Sequence, residues 1–464
     1  MAEGQPEKLE KDIREKYFQL LRFPSVSSHR EHLRDCVNCA VWLKKELESW
    51  GFAGKLQTPS IRDGHASPPI LFMERKGSEG SPAVLIYGHY DVQPADPIEL
   101  WQTSPFEPVE RDGVVYARGA NDDKGQTFAL LTGIKDFIQQ SSANGREPTL
   151  KIILDGQEEM GSPALTELLP EMRRQLSADI LLVCDTDAAA NLRPAIVAGL
   201  RGVSHLTVRL KGPMRDVHSG TYGGIAPNPA LGLAQLMATL HDARRRIAVD
   251  GFYEGVIPPS EEELQRAAES AASPECVVHA IGCAPLGGEK NLPLYQRQSF
   301  EPTIELNGIH SGYGGAGSKT IIPSEALAKL SLRLVPGQSP KHCLAALQRH
   351  LEERVPEGLK LSIEEVNEGA GGFRLPLNSP IFRLAASVLT ELDARGPVFV
   401  WEGASIPILS LLQTYSGAAP LIVGWGQPEN FIHSPNENYS LRQFAQARRW
   451  GRKLMEALAG MIGD

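Results

Sequence analysis

Apolar residues at Leu9, Ile13, Tyr17 and Leu20 recur at the spacing of one helix face, and a second amphipathic stretch runs from about His32 to Trp50. The pattern then changes to short unbroken apolar runs: PILFME near 70, AVLIYG near 84, KIILDG near 152 and DILLVCD near 180. Such runs read as strands buried on both faces, and helical stretches such as GQTFALLTGIKDFIQQ separate them. Strands alternating with helices predict an α/β sheet with helices on its faces.

At Gly199-Leu200-Arg201-Gly202 the character shifts. VSHLTVRL alternates like a half-solvated strand, and Asn228-Pro229 opens a helix through LGLAQLMATL with a capping side chain followed by proline in the first turn. PTIELNG and EALAKLSLRLVP read as strands, PKHCLAALQRHLEERV as a helix and LKLSIEEV as a last strand. The order β-α-β-β-α-β predicts a ferredoxin-like α+β domain over residues 202–371. After Gly371-Gly372 the buried pattern returns, with a helix near 380 to 393, the strand PLIVGWG and a closing helix from Ser440. The expected architecture is therefore a discontinuous α/β domain, 1–201 and 372–464, with the smaller domain inserted into it. Residues 242–300, rich in Glu, Ala and Pro, read as an insertion within that smaller domain, and no fixed-period repeat is found.

A chain of 464 residues with 42% hydrophobic and 22% charged residues is ordinary globular material. The net charge of −9, without a basic stripe, argues against nucleic acid as a partner. The first twenty residues mix acidic and basic side chains, unlike a signal or transit peptide, and no uncharged apolar run reaches bilayer length. A cytoplasmic protein without a membrane partner is expected. Six scattered cysteines suit a reducing compartment. Cys36 and Cys39 form a C-x-x-C, but on a helix and without a second pair to complete a zinc site, so helix packing explains them.

Candidate chemistry gathers at the downstream ends of predicted strands: Gly88-His89-Tyr90-Asp91, Gln157-Glu158-Glu159, Cys184-Asp185 and Asn430-Phe431-Ile432-His433. Ala120-Asn121-Asp122-Asp123-Lys124-Gly125 directly precedes a helix. In open α/β sheets, ligands bind beyond the carboxyl ends of the strands, where residues distant in sequence converge. Two histidines with three carboxylates make a mixed N/O donor set suited to zinc or a similar divalent ion. Five ligands exceed one catalytic zinc but suffice for two ions about 3.5 to 4 Å apart with one bridging carboxylate. Asp91, two residues past His89, can accept from the imidazole and fix its tautomer. The pair Glu158-Glu159 divides the labour, one carboxylate binding metal and the other moving the proton of the attacking water. Singly, each piece has a plainer reading as a cap, a structural hydrogen bond or a solvated face. Their joint occurrence beside buried strands is what points to a site. The residues alone leave Asp185 and Asp187 both open.

These residues resemble the M20 metallopeptidases, in particular the branch of the cytosolic nonspecific dipeptidases and carnosinases with related bacterial dipeptidases. The motifs are GHYDVQP, ARGANDDKG, DGQEEMGS, CDT, GLRG, DVHSG, SKTIIP, SLRLVP, EGASIP and HSPNE, spread over nearly the whole chain. The resemblance implies that His89 and Asp185 complete one metal site, Glu159 and His433 the other, and that Asp122 bridges two divalent ions per subunit, zinc first and manganese as the alternative. It implies Glu158 as general base, Asp91 as support for His89, and Asp185 ahead of Asp187. It further implies that the discontinuous α/β domain is the metal-binding catalytic domain and the inserted ferredoxin-like domain a lid and dimerisation unit, in a homodimer where His218 reaches the other subunit's active site. The resemblance also implies that Arg333 clamps a substrate carboxylate, with Thr320, Asn307 and Ser405 as further substrate contacts. The chain departs from the carnosinases at Trp401 and Ala404, where they carry arginine and glycine, and at Ser379, where they carry a substrate-binding histidine. These departures count against carnosine as the substrate. The expected activity is hydrolysis of dipeptides or short peptides. An N-acyl or N-carbamoyl amino-acid amidohydrolase is the rival enzyme, and a non-catalytic binding protein on the same fold is the more remote one.

Overall fold

In the computed structural model, which describes residues 9–59, 67–141, 147–189, 191–403, 406–427 and 429–461, the apolar run near 84 forms the strand Ala83–His89. Val84, Leu85, Ile86 and Tyr87 are all fully buried, as a strand covered on both faces requires. The chain divides into two units, one of Met1–Ala198, Leu375–Val400 and Ile408–Asp464, the other of Gly199–Arg374 and Trp401–Pro407.

Across the sheet of the first unit the strands follow the order Ala53–Gln57, Ile70–Arg75, Thr149–Asp155, Ala83–His89, Ile180–Val183, Ala419–Gly424 and Ala195–Leu200. The four from Thr149–Asp155 to Ala419–Gly424 are mutually parallel. Their register matters for function: His89 pairs with Asp155, Tyr87 with Val183, and Val183 with Ile422. Neighbouring strands therefore end level, and the residues that follow emerge along one edge. The helix Lys124–Ser141 packs on Leu441–Gly460 so closely that a Cβ on Gly133 would lie 2.0 Å from the carbonyl oxygen of Arg448. The helix Leu33–Ser49 buries Cys36 and Cys39 together with Ala40, Leu43 and Leu47. Both thiols are free, and burial pushes them up to about 12 and about 11, which keeps them protonated and inert as packing groups.

The second unit carries a four-stranded sheet ordered Thr303–Ser311, Glu325–Leu334, Gly202–Lys211 and Lys360–Ala370, every neighbour antiparallel. With the helices Pro229–Ala238 and Pro340–Glu352 this is the ferredoxin-like order. Alternation explains its core: Leu206, Val208 and Leu210 share one face with Ala328, Leu330 and Leu332, against Leu233, Leu236, Cys343 and Leu347. Asn228 caps the first helix by accepting from Ala230 and Leu231. Three short helices, Glu261–Ser270, Pro274–Ile281 and Leu294–Ser299, occupy the 242–300 insertion. Trp401–Pro407 joins this unit because Trp401 packs at a tilt against the Phe300 ring and Arg201 donates to the Gly403 carbonyl at 2.9 Å. No described helix is long and apolar enough to cross a membrane.

Candidate metal centre

The level strand ends bring His89, Asp185 and the Glu158–Met160 turn together, and the loop after Ala419–Gly424 adds His433. His89 is buried, with Nε2 3.1 Å from Asp122 Oδ1 and 4.0 Å from Asp185 Oδ2. His433 Nε2 lies 2.8 Å from Asp122 Oδ2 and 3.4 Å from Glu159 Oε2. The two oxygens of Asp122 thus face two different imidazoles. Ligand atoms gather in two groups, His89 with Asp123 and Asp185, and Asp122 with Glu159 and His433, all within 4.8 Å inside each group.

Asp123 follows Asp122 across a cis peptide bond and was not among the expected ligands. Its Oδ2 accepts from the Thr127 hydroxyl at 2.5 Å and from the His89 N–H at 3.3 Å, so it ties strand to helix beneath the site. Its Oδ1 is buried without a hydrogen-bond partner among the described residues. The strand must pass close here: a Cβ on Gly88 would lie 2.0 Å from Thr127 Oγ1. Hydrogen bonding therefore separates the two aspartates, Asp122 opening toward the imidazoles and Asp123 serving the scaffold.

Asp91 is fully buried and braces both sides of the centre. Its carboxylate accepts from Ser27 Oγ at 2.6 Å and from the backbone N–H groups of Glu158 at 3.1 Å and Glu159 at 3.2 Å. His89 Nδ1 lies 3.1 Å from the Asp91 carbonyl oxygen and 3.3 Å from its Oδ1, which sets the proton on Nδ1 and turns Nε2 to the centre. Gln93 donates to Glu159 Oε2 at 2.7 Å. Asp185 stands beside His89, whereas Asp187 Oδ1 accepts from Asn430 Nδ2 at 2.8 Å and anchors the loop to His433. That loop holds Glu429, Phe431 and His433 at positive φ, a conformation costly for bulky residues. Asn438 Nδ2, donating to the Glu429 carbonyl, and Asn430 Oδ1, accepting from Ile432, hold it.

Burial raises the carboxyl of Glu158, and neighbouring Asp185, Glu159 and Asp122 raise it further against the effect of His89. Asp185 is raised by burial and by Asp123. Hydrogen bonds that His433 donates to Asp122 and Glu159 lift its pKa to about 10. Crowded, desolvated carboxylates that pull protons onto their histidines form a donor set short of positive charge, and divalent ions fit that need.

In the second unit His218 is exposed, on the strand Val217–His218 that pairs with Ile321–Ile322. Its Nδ1 accepts from the Gly220 N–H at 3.0 Å, and the Thr320 carbonyl accepts from Ser219, so His218 and Thr320 share one corner. Arg333 is half-buried and pairs in register with Thr303, while Asn307 falls at the bulge opposite Leu330 and Lys329, displaced along the strand from Arg333. Ser405 lies outside the described residues. Two expected pocket positions have other work. Trp401 is buried against Phe300, and Ser379 caps the helix Pro380–Leu392 by accepting from Phe382. Ser379 lines a cleft with Pro82, Asp179 and Ala419, at the strand starts and opposite the metal-centre edge. It is therefore not a position of this centre. Sequence reasoning missed Ser27, Gln93, Asp123 and Glu437; the last three lie inside quoted motifs, while Ser27 carries no signal of its own.

A donor set of histidines and carboxylates at the carboxyl edge of a parallel sheet defines a metallohydrolase. A family model described as peptidase family M20/M25/M40 matches residues 85–457, and the chain belongs to that family. It is 30% identical to the Cys-Gly metallodipeptidase DUG1 of Candida albicans over 94% of this chain and 93% of that one. It is 29% identical to the Beta-Ala-His dipeptidase of Rattus norvegicus over 87% and 82%. A metallo-carboxypeptidase of the M20 family from Sulfolobus solfataricus, Sso-CP2, superposes with a TM-score of 0.85 at 26% identity, covering 98% of this chain and 100% of that one.

Proposed function

We propose that this chain is a dipeptidase working with two divalent ions per subunit, zinc first and manganese as the alternative. The observation that carries this reading is the convergence of His89, Asp122, Glu159, Asp185 and His433 around Glu158 at one sheet edge. His89 and Asp185 would hold one ion, Glu159 and His433 the other, with Asp122 shared. When bound, the ions supply Lewis acidity and positive charge for a scissile carbonyl. Glu158 takes a proton from the attacking water and delivers it to the departing amine nitrogen. Asp91 aims Glu158 and Glu159 by holding both of their backbone N–H groups.

The remaining assignments fall on residues of the second unit. Because Nδ1 of His218 accepts a hydrogen bond, its neutral ring carries the proton on Nε2, ready to donate to a developing oxyanion. We assign that donation to the partner subunit of a homodimer. Exposed Tyr222, Ile225 and Leu231, and the exposed edge strand bearing Leu306 and Ile309, support self-association through this unit. Arg333 would clamp the substrate carboxylate, with Thr320, Asn307 and Ser405 as further substrate contacts. The six free cysteines favour a cytoplasmic location. A panel of dipeptides set against N-acetyl and N-carbamoyl amino acids tests the substrate class. Turnover of dipeptides is expected, and selective turnover of the acylated amino acids would overturn it.

A further inference from the structure

Glu437 is fully buried, in the segment His433-Ser434-Pro435-Asn436-Glu437 that also carries a candidate ligand. Its Oε2 accepts from Arg118 Nη1 and from the Gly119 N–H, both at 2.8 Å. Its Oε1 accepts from the N–H groups of Asn121 at 2.9 Å and Asp122 at 3.0 Å. The Ala117 N–H reaches the Glu437 carbonyl at 3.1 Å. Backbone N–H groups converging on one anion form a nest, and here the anion is a side chain of the protein itself. Sinking a carboxylate this deep costs several kcal/mol unless its oxygens are satisfied, and four donors satisfy them here.

We propose that Glu437 is a positioning residue for the metal centre: its carboxylate fixes the 117–122 turn and so holds Asp122 between His89 and His433. One short segment then supplies a ligand and also the clamp on the shared ligand, which couples the two sides of the centre. The inference rests on the metal-centre assignment above. The competing role is simpler. Arg118 is itself buried, donates to the Pro94 carbonyl at 3.1 Å and lies over Trp101, so Glu437 would serve only as its counter-ion.

Titration of metal-stripped protein with Co²⁺, followed by visible absorption, separates the two roles. The proteins are wild type, Glu437→Gln and the double variant Arg118→Met/Glu437→Gln, with thermal melting recorded for each. Glu437→Gln should weaken Co²⁺ binding about 10- to 100-fold, the range for residues supporting metal ligands, and shift the absorption band. In the double variant the unpaired guanidinium is gone, so melting should recover while the loss of Co²⁺ affinity persists. Wild-type affinity and spectrum in the double variant would overturn the proposal and leave Glu437 as a counter-ion. Fewer than two Co²⁺ ions per wild-type subunit would overturn the metal-centre assignment and this proposal with it.

Discussion

Replacing Asp91 with Asn tests the bracing of the centre at one atom's resolution. The carboxylate accepts from Ser27, Glu158 and Glu159 at 2.6, 3.1 and 3.2 Å, with His89 Nδ1 at 3.3 Å. Asn keeps one acceptor oxygen and turns an amide NH2 toward the remaining donors, so about two hydrogen bonds to a charged acceptor are lost, each worth ~1.5–3 kcal/mol. His89 retains the backbone carbonyl of residue 91 at 3.1 Å, so its tautomer survives and the damage falls on the Glu158–Met160 turn. The expected result is a stability loss of about 3–6 kcal/mol and a fall in turnover or metal affinity of about 10- to 100-fold. Steady-state kinetics on reconstituted protein, chelator competition and urea denaturation measure the three quantities. An Asp91→Asn protein with wild-type kcat and metal affinity would refute the bracing argument even if its stability fell.

Glu158→Gln should cut kcat by about 10²- to 10⁴-fold while elemental analysis finds the same metal content; activity close to wild type would remove Glu158 from the chemistry. If His218 acts across subunits, mixing His218→Ala and Glu158→Gln protomers should restore about a quarter of wild-type activity, since half the dimers are mixed and each has one working site. Restoration absent after verified exchange would place His218 elsewhere. His350 is buried with Nε2 2.8 Å from Thr239 Oγ1, and burial together with Arg354 lowers its pKa from the usual 6.5. The unfolded chain therefore protonates first as pH falls, so the stability from this residue is present above 6.5 and lost below it, toward the lower folded value. Urea midpoints at about pH 7.5 and about pH 5.5 should differ more for wild type than for His350→Gln, and equal differences would contradict the assignment.

The parallel core was legible because strands buried on both faces must be written as unbroken apolar runs, and AVLIYG and DILLVCD are such runs. The ferredoxin-like unit was legible through its alternation, Leu206, Val208 and Leu210 inward with His205 exposed. The ribbon of Val217–His218 with Ile321–Ile322 was not, since two residue pairs carry no period. Nor was the assignment of Trp401–Pro407 to the second unit, which depends on contacts to Phe300 and Arg201 distant in sequence. At the site, polar residues following buried strands were visible as anomalies, but the separate tasks of neighbouring aspartates were not. Asp185 and Asp187 look alike in sequence, and only the three-dimensional arrangement sets the first beside His89 and the second against Asn430. Asp123 reads as a helix-start residue until Thr127 and the His89 N–H are seen to converge on it. Ser379, aligned by resemblance with a substrate contact, satisfies the start of a helix at the opposite end of the strands.

The central claim is that two ions held by His89, Asp122, Glu159, Asp185 and His433 make the chain a dipeptidase. Titrating metal-stripped protein with Zn²⁺, and counting bound ions by elemental analysis while following dipeptide hydrolysis, tests it most directly. The account predicts no turnover in the stripped protein, two ions per subunit at saturation, and turnover that appears with loading. Full dipeptide hydrolysis in protein shown to be free of metal, or saturation at a single ion with full activity, would contradict it.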